Sequence, residues 1–332
     1  MKRIIAAFIA TALLSLPSFA MGGKESKEAS IQLAPMTIRA GALKGPTGIG
    51  MIYLFEGETT LPENASLSVE AVPSADAMAA KLLSGELDAA VLPVNMAAKL
   101  YNAGLQYRLA AVVGNGMVKI LTTDASIVSL SDLRGRDVFV AGQGATPEFL
   151  LRTILPKAGL NPDTDLHMSF NLPYPEIAAS LVAGKIDIAV LPEPFATLAL
   201  KGNPAVRVPF SLSELWTAAT GQRDYPMSVF VMRSSLLAER PAAAAALLAA
   251  YKASIGRAVA DPAAAGALVE KHDMGLKASI AAAAIPAAAF TFVPALEARS
   301  SVVALLSVFL AASPASIGSK LPDGDWYASP AR

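Results

Sequence analysis

The chain has 332 residues, 54% hydrophobic and 16% charged, with 27 basic and 27 acidic side chains and a formal net charge of zero. That length suits two domains or one large α/β domain, and the apolar content is high enough to build a large core rather than a disordered chain. Balanced charge without a basic run after the N-terminus excludes the electrostatic footprint of nucleic-acid binding, and the lack of cysteine excludes thiolate chemistry, disulfides and cysteine zinc sites.

The first segment, MKRIIAAFIATALLSLPSFA, has a basic start at Lys2 and Arg3, an apolar centre, and small residues at Ser18 and Ala20. That is the pattern of a secretory signal peptide. Residues 1–20 are therefore expected to be removed, and residues 21–35, which include GGKESKEAS, to form a flexible leader. The alternative is retention of the segment as a membrane anchor. No cysteine follows the apolar run, so a lipid anchor at that point is excluded, and cleavage leaves 25 basic against 27 acidic residues. A later apolar run, SVVALLSVFLAA, has 12 residues, short of the roughly 20 needed to span a bilayer. An exported, periplasmic protein is expected.

Further along, TIRAGAL (residues 37–43) reads as a strand, and the glycine-rich loop GALKGPTGIG overlaps its end. GIGMIYLFE follows as a helix, LSVEA as a strand, and SADAMAAKLLSG as a helix stopped by Gly85. LDAAVLP is a continuous apolar run, the pattern of a strand buried on both faces of a parallel sheet. GMVKILTTDAS then carries an apolar stretch, near Ile120–Thr123, read as a crossover between lobes. The series starts again with DVFVAGQ, PEFLLRTILPKAG, LHMSF, YPEIAASLVAG and IDIAVLP. The recurrence is visible in the residues themselves. KLLSGELDAAVLP and SLVAGKIDIAVLP match at seven of thirteen positions, 99 residues apart, and the same offset places Gly45 on Gly144 and Thr47 on Thr146. Repeats of this kind are one supersecondary unit used twice, and the strand–helix alternation is the α/β signature. YPMSVFVMRSS supplies the second crossover, near Ser228–Met232. The tail from Leu236 is alanine-rich and helical, with Asp261-Pro262 as N-cap and first helical residue of its second helix.

These segments carry a family likeness. LLSGELDAAVLP, SLSDLRGRDVFVAGQGATPEFLLRTIL, GKIDIAVLPEPFATLAL, YPMSVFVMRSSLLAERP and SPASIGSKLPDGDWY, in that order, resemble the nitrate/sulfonate/taurine-type substrate-binding proteins of ABC transporters. The resemblance runs from about Met36 to Tyr327. It implies the α/β type II periplasmic-binding-protein fold, two similar lobes joined by two hinge strands with a ligand closed between them. The lobes are expected at residues 36–122, 123–226 and 227–332, the last a return to the first lobe with C-terminal helices. Implied partners are a small-molecule ligand and an ABC permease and ATPase in the inner membrane, with a monomeric protein, no nucleic acid and no cofactor. An enzyme of the same fold, of the pyrimidine-precursor or menaquinone-pathway type, and an extracytoplasmic sensor domain are the alternatives.

Ligands of open α/β sheets bind beyond the carboxyl ends of the strands. Four loops then form the site: Lys44, Gly45, Pro46, Thr47 and Gly48; Pro93 to Asn95; Gln143, Gly144, Ala145 and Thr146, up to Pro147; and Glu193–Pro194. The glycines let the backbone approach a ligand so that loop N–H groups hold a carboxylate, a sulfonate or a polar oxygen. Thr47 and Thr146 either cap their helices or reach the ligand. Glu193 stands where the first unit has Val94, and either binds an amine or ring N–H or forms a salt bridge. Trp216, Tyr174, Phe195 and Tyr225 are candidates for a stacking wall, whereas Asp88 and Asp187 read as structural. Catalytic motifs are missing: there is no Gly-Lys-Ser/Thr after the second loop, no G-x-G-x-x-G, no G-x-S-x-G, and His167 and His272 are far apart. With Lys44 opposed by Glu193, a zwitterionic sulfonate or carboxylate, or an amino-bearing heterocycle, is the expected ligand.

Edman sequencing of the exported protein is expected to start at Met21; an intact Met1 in the membrane fraction reverses the reading.

Overall fold

The structure, a computed structural model, describes residues 33–140 and 142–329. The expected signal peptide and all but the last three residues of the expected leader lie outside the described residues. Among the described residues, eleven strands and twelve α-helices follow in chain order. The strands are β1 (Met36–Leu43), β2 (Ala65–Val72), β3 (Ala89–Pro93), β4 (Tyr107–Gly114), β5 (Val118–Thr122), β6 (Asp137–Val140), β7 (His167–Ser169), β8 (Ile188–Pro192), β9 (Arg207–Ser211), β10 (Ser228–Arg233) and β11 (Phe290–Pro294). The helices are α1 (Pro46–Ile49), α2 (Ala75–Leu83), α3 (Val94–Asn102), α4 (Thr146–Ile154), α5 (Tyr174–Val182), α6 (Phe195–Gly202), α7 (Leu212–Thr220), α8 (Ser234–Glu239), α9 (Pro241–Ala260), α10 (Pro262–Lys271), α11 (Ala278–Ala284) and α12 (Ala295–Ala312).

They form two sheets, ordered β11-β4-β10-β3-β1-β2 and β7-β6-β8-β5-β9. The repeat in the sequence is a repeat in space. Both α2 and β3 recur 99 residues on, as α5 and β8. In each sheet the buried central strand pairs parallel on one edge, β3 with β1 and β8 with β6, and antiparallel on the other, β3 with β10 and β8 with β5. Gly85 and Gly184 end the matched helices in the left-handed conformation, φ 74° and 65°, as their place in the sequence suggests.

The two central strands are buried because alternate residues feed different cores. Ala90 and Leu92 of β3, and Ile188 and Val190 of β8, enter one shared core, whereas Ala89 and Val91 enter a core under α9, and Ala189 and Leu191 a third against α5 and α6. Side chains of period two make this division unavoidable. Asp88, at the head of β3, accepts hydrogen bonds from the Arg39 backbone N–H at 2.9 Å and from its Nε at 3.0 Å, the structural role expected of it. Its repeat counterpart Asp187 is exposed and receives one bond, from Thr123 Oγ1 at 3.3 Å.

The chain passes between the sheets at residues 115–117 and 221–227. The stretches expected to be crossovers, Ile120–Thr123 and Ser228–Met232, lie one step inside instead: most of the first belongs to β5, which the expected lobe boundary at 122 had put with the first lobe but which pairs in the second sheet, and the second lies within β10 at the centre of the first. Their apolar residues are buried sheet residues, so the irregular segments before them take the change of direction. The sequence also reads residues 48–56 as one helix. They form a single turn, α1, and then a 3-10 turn at Ile52–Glu56, because Gly48 and Gly50, two residues apart, weaken a continuous helix.

Two helices, α9 and α12, are long and apolar enough to cross a membrane on composition alone. Each packs one face on the protein: Leu247, Tyr251, Ile255 and Ala258 of α9, and Val302, Leu305, Leu306 and Phe309 of α12, are buried at helical spacing. Such a one-sided stripe is the face an amphipathic helix turns to a core. Phe309 of α12 meets Phe149 of α4 edge-on, with centroids 4.7 Å apart, so the shared core runs on from the first sheet's C-terminal helix into the second lobe.

Candidate ligand-binding cleft

The ends of β1, β3 and β8 open on a cavity of about 440 Å³ between the sheets. From the first sheet it is lined by Leu43, Lys44, Gly45, Pro46 and Thr47 after β1, by Ala75, and by Pro93, Asn95 and Met96 after β3. From the second come Ala145, Thr146 and Pro147 at the start of α4, Pro192 at the end of β8, and Tyr174 and Phe195. The two crossings supply Met117 and Met227, with Ser228 beside them. Its volume is in the range of small-molecule pockets, and its lining is mainly apolar with a few polar groups, as is usual for such sites.

The polar groups divide into those already engaged and those with capacity left. Most loop N–H groups expected to hold an anion have acceptors of their own. Lys44 donates to Val72 O at 2.8 Å, Gly45 to Met274 O at 3.0 Å, and Ala145 to Gly142 O at 2.9 Å. The Gly144 N–H donates to the Glu148 carboxylate at 2.7 Å, and Arg152 Nε holds the other oxygen at 2.8 Å. Thr47 and Thr146 differ. They do not cap their helices, whose N-caps are Gly45 and Ala145, and among the described residues neither their N–H nor their hydroxyl has a partner. Thr146 and Ser228 are only 6% and 4% exposed, but their hydroxyl oxygens are not sealed off from the cavity, so a ligand or a water can meet them. Asn95 adds an amide free of side-chain partners among the described residues.

Eight of the residues expected at the site, Lys44, Gly45, Pro46, Thr47, Pro93, Asn95, Ala145 and Thr146, are thus brought to one cavity. Five are not. Gly48 is outside the lining, and its backbone packs against Leu43 O and Met274; a Cβ there would come within 2.6 Å of Met274 Cε. Gln143 and Gly144 are exposed and outside the lining. Trp216 is buried edge-on against Tyr225, centroids 6.0 Å apart, in the shared core. Glu193 is fully buried: one oxygen pairs with Lys119 Nζ and the other accepts the Thr197 N–H at 3.1 Å. Because β5 lies beside β8, Lys119 reaches Glu193 from the neighbouring strand, so the acid is spent inside the second lobe. Of the expected stacking residues, Tyr174 and Phe195 do face the cavity, stacked at 5.5 Å and 22°. Burial pushes the Tyr174 phenol up to about 12, so it stays a neutral O–H near pH 7. Pro192 was legible as the repeat partner of Pro93, whereas nothing in sequence marks as cavity residues Met117 and Met227, which arrive from the crossings, or Ser228, the first residue of β10.

A model of the NMT1-like family matches residues 55–270. The chain belongs to the NMT1-like family. Comparison with curated proteins returned no match. Among solved structures, this NMT1-like chain is similar to an ABC transporter from Parabacteroides distasonis, at 26% identity over 88% of this chain and 99% of that one, TM-score 0.74. It shares its fold with the periplasmic aliphatic sulphonate binding protein SsuA of Escherichia coli, 21% identical over 90% and 94% of the two chains, TM-score 0.70. The periplasmic nitrate-binding protein NrtA of Synechocystis PCC 6803 is 15% identical over 86% and 84%, TM-score 0.60. The fold is the two-lobe type II periplasmic-binding-protein fold.

Glu193→Gln is expected to lower the unfolding free energy by about 2 kcal/mol, less than a fully enclosed pair costs because Lys119 keeps some contact with water. Urea denaturation with and without bound solute measures this; unchanged stability combined with weaker solute binding returns Glu193 to the ligand.

Proposed function

We propose that this NMT1-like protein is the solute-binding component of an ABC importer, holding one small molecule between its two sheets outside the inner membrane and delivering it to the permease. The observation that carries the reading is the matched pair Thr47 and Thr146. The repeat puts them 99 residues apart in sequence, the fold puts them on one cavity from opposite sheets, and both keep donors unused. A ligand bonded to both threonines links the lobes only when they are close together. Its affinity for the closed state then exceeds that for the open one, and binding shifts the population. The lining supports capture rather than chemistry: among the described residues its titratable side chains are Lys44 and Tyr174, without an acid–base pair or a nucleophile beside a base.

In this reading the lobes turn on the crossings at 115–117 and 221–227, and the Phe149–Phe309 contact lies at the joint. The protein acts as a monomer, and its solute neither is altered nor needs a cofactor.

Native mass spectrometry of protein purified without refolding is expected to show one solute per chain, lost on denaturation. Thr47→Val and Thr146→Val should each weaken its binding about fivefold, the loss of one neutral hydrogen bond while the backbone N–H remains. Solute re-added to stripped protein is expected to lower the radius of gyration in small-angle scattering. Undiminished affinity in both variants overturns the threonine assignment, and an unchanged radius at saturation overturns closure.

A further inference from the structure

The charge of the cavity is set from outside it. Lys44 is the one charged side chain among the described residues of the lining, and its ammonium lies 2.6 Å from Asp273 Oδ2. Asp273 belongs to the turn between α10 and α11 and does not itself line the cavity. Two features keep it near Lys44. The Gly45 N–H donates to Met274 O at 3.0 Å, which ties the turn to the Lys44 loop. Gly48 packs directly against Met274. The Asp273 side chain is 87% exposed and that of Lys44 29%, so it is the anchored turn, and not packing around the carboxylate, that keeps the pair together. The other charges near the loops are balanced in the same way: Glu193 by Lys119, and Glu148 by Arg152.

We propose that Asp273 is the residue that fixes the charge class of the ligand: by compensating Lys44 it makes the cleft electrically neutral, so that it takes a net-uncharged solute with a flat apolar body and discriminates against simple anions. The inference rests on the binding reading above. A bare inorganic anion moved into this cavity loses its hydration and finds no uncompensated positive charge to replace it. About 440 Å³ also exceeds what a nitrate or sulfate fills; it is on the order of fifteen water volumes. The walls instead suit a ring: Met96, Met117 and Met227 are adaptable apolar surface, and Phe195 and Tyr174 present stacked rings. Thr47, Thr146, Ser228 and Asn95 supply neutral hydrogen bonds for the polar edge of such a solute.

The test compares neutral and anionic molecules of one shape: benzamide with benzoate, and benzenesulfonamide with benzenesulfonate, titrated calorimetrically into the stripped full-length protein, with sodium nitrate as the inorganic probe. Wild type is expected to bind the neutral member of each pair roughly tenfold more tightly, a factor in the range of one nearby compensated charge, and not to bind nitrate. Asp273→Asn should shift each neutral-to-anion ratio toward the anion by a similar factor, and Asp273→Glu should restore it. Asn suits the backbone of Asp273, whose φ is 48°, and a thermal melt confirms that the variant is folded. The inference is overturned if wild type prefers the anions, binds neither member of either pair, or keeps its ratio in Asp273→Asn. A purified solute that proves to be a small anion overturns it too, yet leaves the binding function standing; protein that carries and binds no solute removes both.

Discussion

Two strands buried on both faces, β3 and β8, constrain everything else in this molecule. A strand with no solvent face must have both edges paired, since an unpaired backbone group in the interior costs as much as a lost hydrogen bond. Each also needs apolar cover above and below. The first need fixes the neighbours: β1 and β10 for β3, β6 and β5 for β8. The second recruits α9 and α12 and the short helices of the second lobe. Both strands leave the core at a proline, Pro93 and Pro192, and both prolines stand on the cavity. The cleft is therefore where the buried strands are forced to end.

Glycine in the first loop serves packing as much as recognition. Gly45 adopts φ 93° with open space around it, a conformation an L side chain resists, and this turns the chain from β1 into α1. Gly48 has no room for a side chain because the Leu43 carbonyl and, from the α10–α11 turn, Met274 both press against it. The loop is thus clamped to a segment more than 200 residues away, and that clamp carries Asp273 to Lys44. Most of the hydrogen-bond donors that a glycine loop usually leaves free are consumed by this arrangement, and among the described residues Thr47 on the cavity keeps its N–H and hydroxyl unengaged.

The lobes share a core as well as a cleft. Residues of β3 and β8 that face α4, α7 and α12 belong to one continuous apolar cluster, with Phe149 and Phe309 in contact inside it. Buried aromatic pairs of this kind add about 0.5–1.5 kcal/mol beyond their area. The contact ties α12 to α4, the helix that opens at Thr146 on the cavity.

The sequence by itself determined the fold to a large extent, and the reason is period and repetition. Apolar runs of strand length, glycine stops and a 99-residue offset each depend only on neighbours in the chain, so both copies of the unit, the buried strands, and the pairing of Thr47 with Thr146 were legible. The loops of the cleft followed from where such strands must end. Tertiary structure alone decided the electrostatics. Whether Glu193 faces a ligand depends on Lys119, 74 residues earlier on an adjacent strand, and whether Lys44 is a free cation depends on Asp273, 229 residues later. The two crossovers were legible as segments, but their exact place at 115–117 and 221–227, and the presence of Met117, Met227 and Ser228 on the cavity, were out of reach, because a strand's sequence does not say to which of two sheets it pairs. A local pattern names the elements; the charge and lining of a site formed between them are set by residues that only folding brings within a few ångströms.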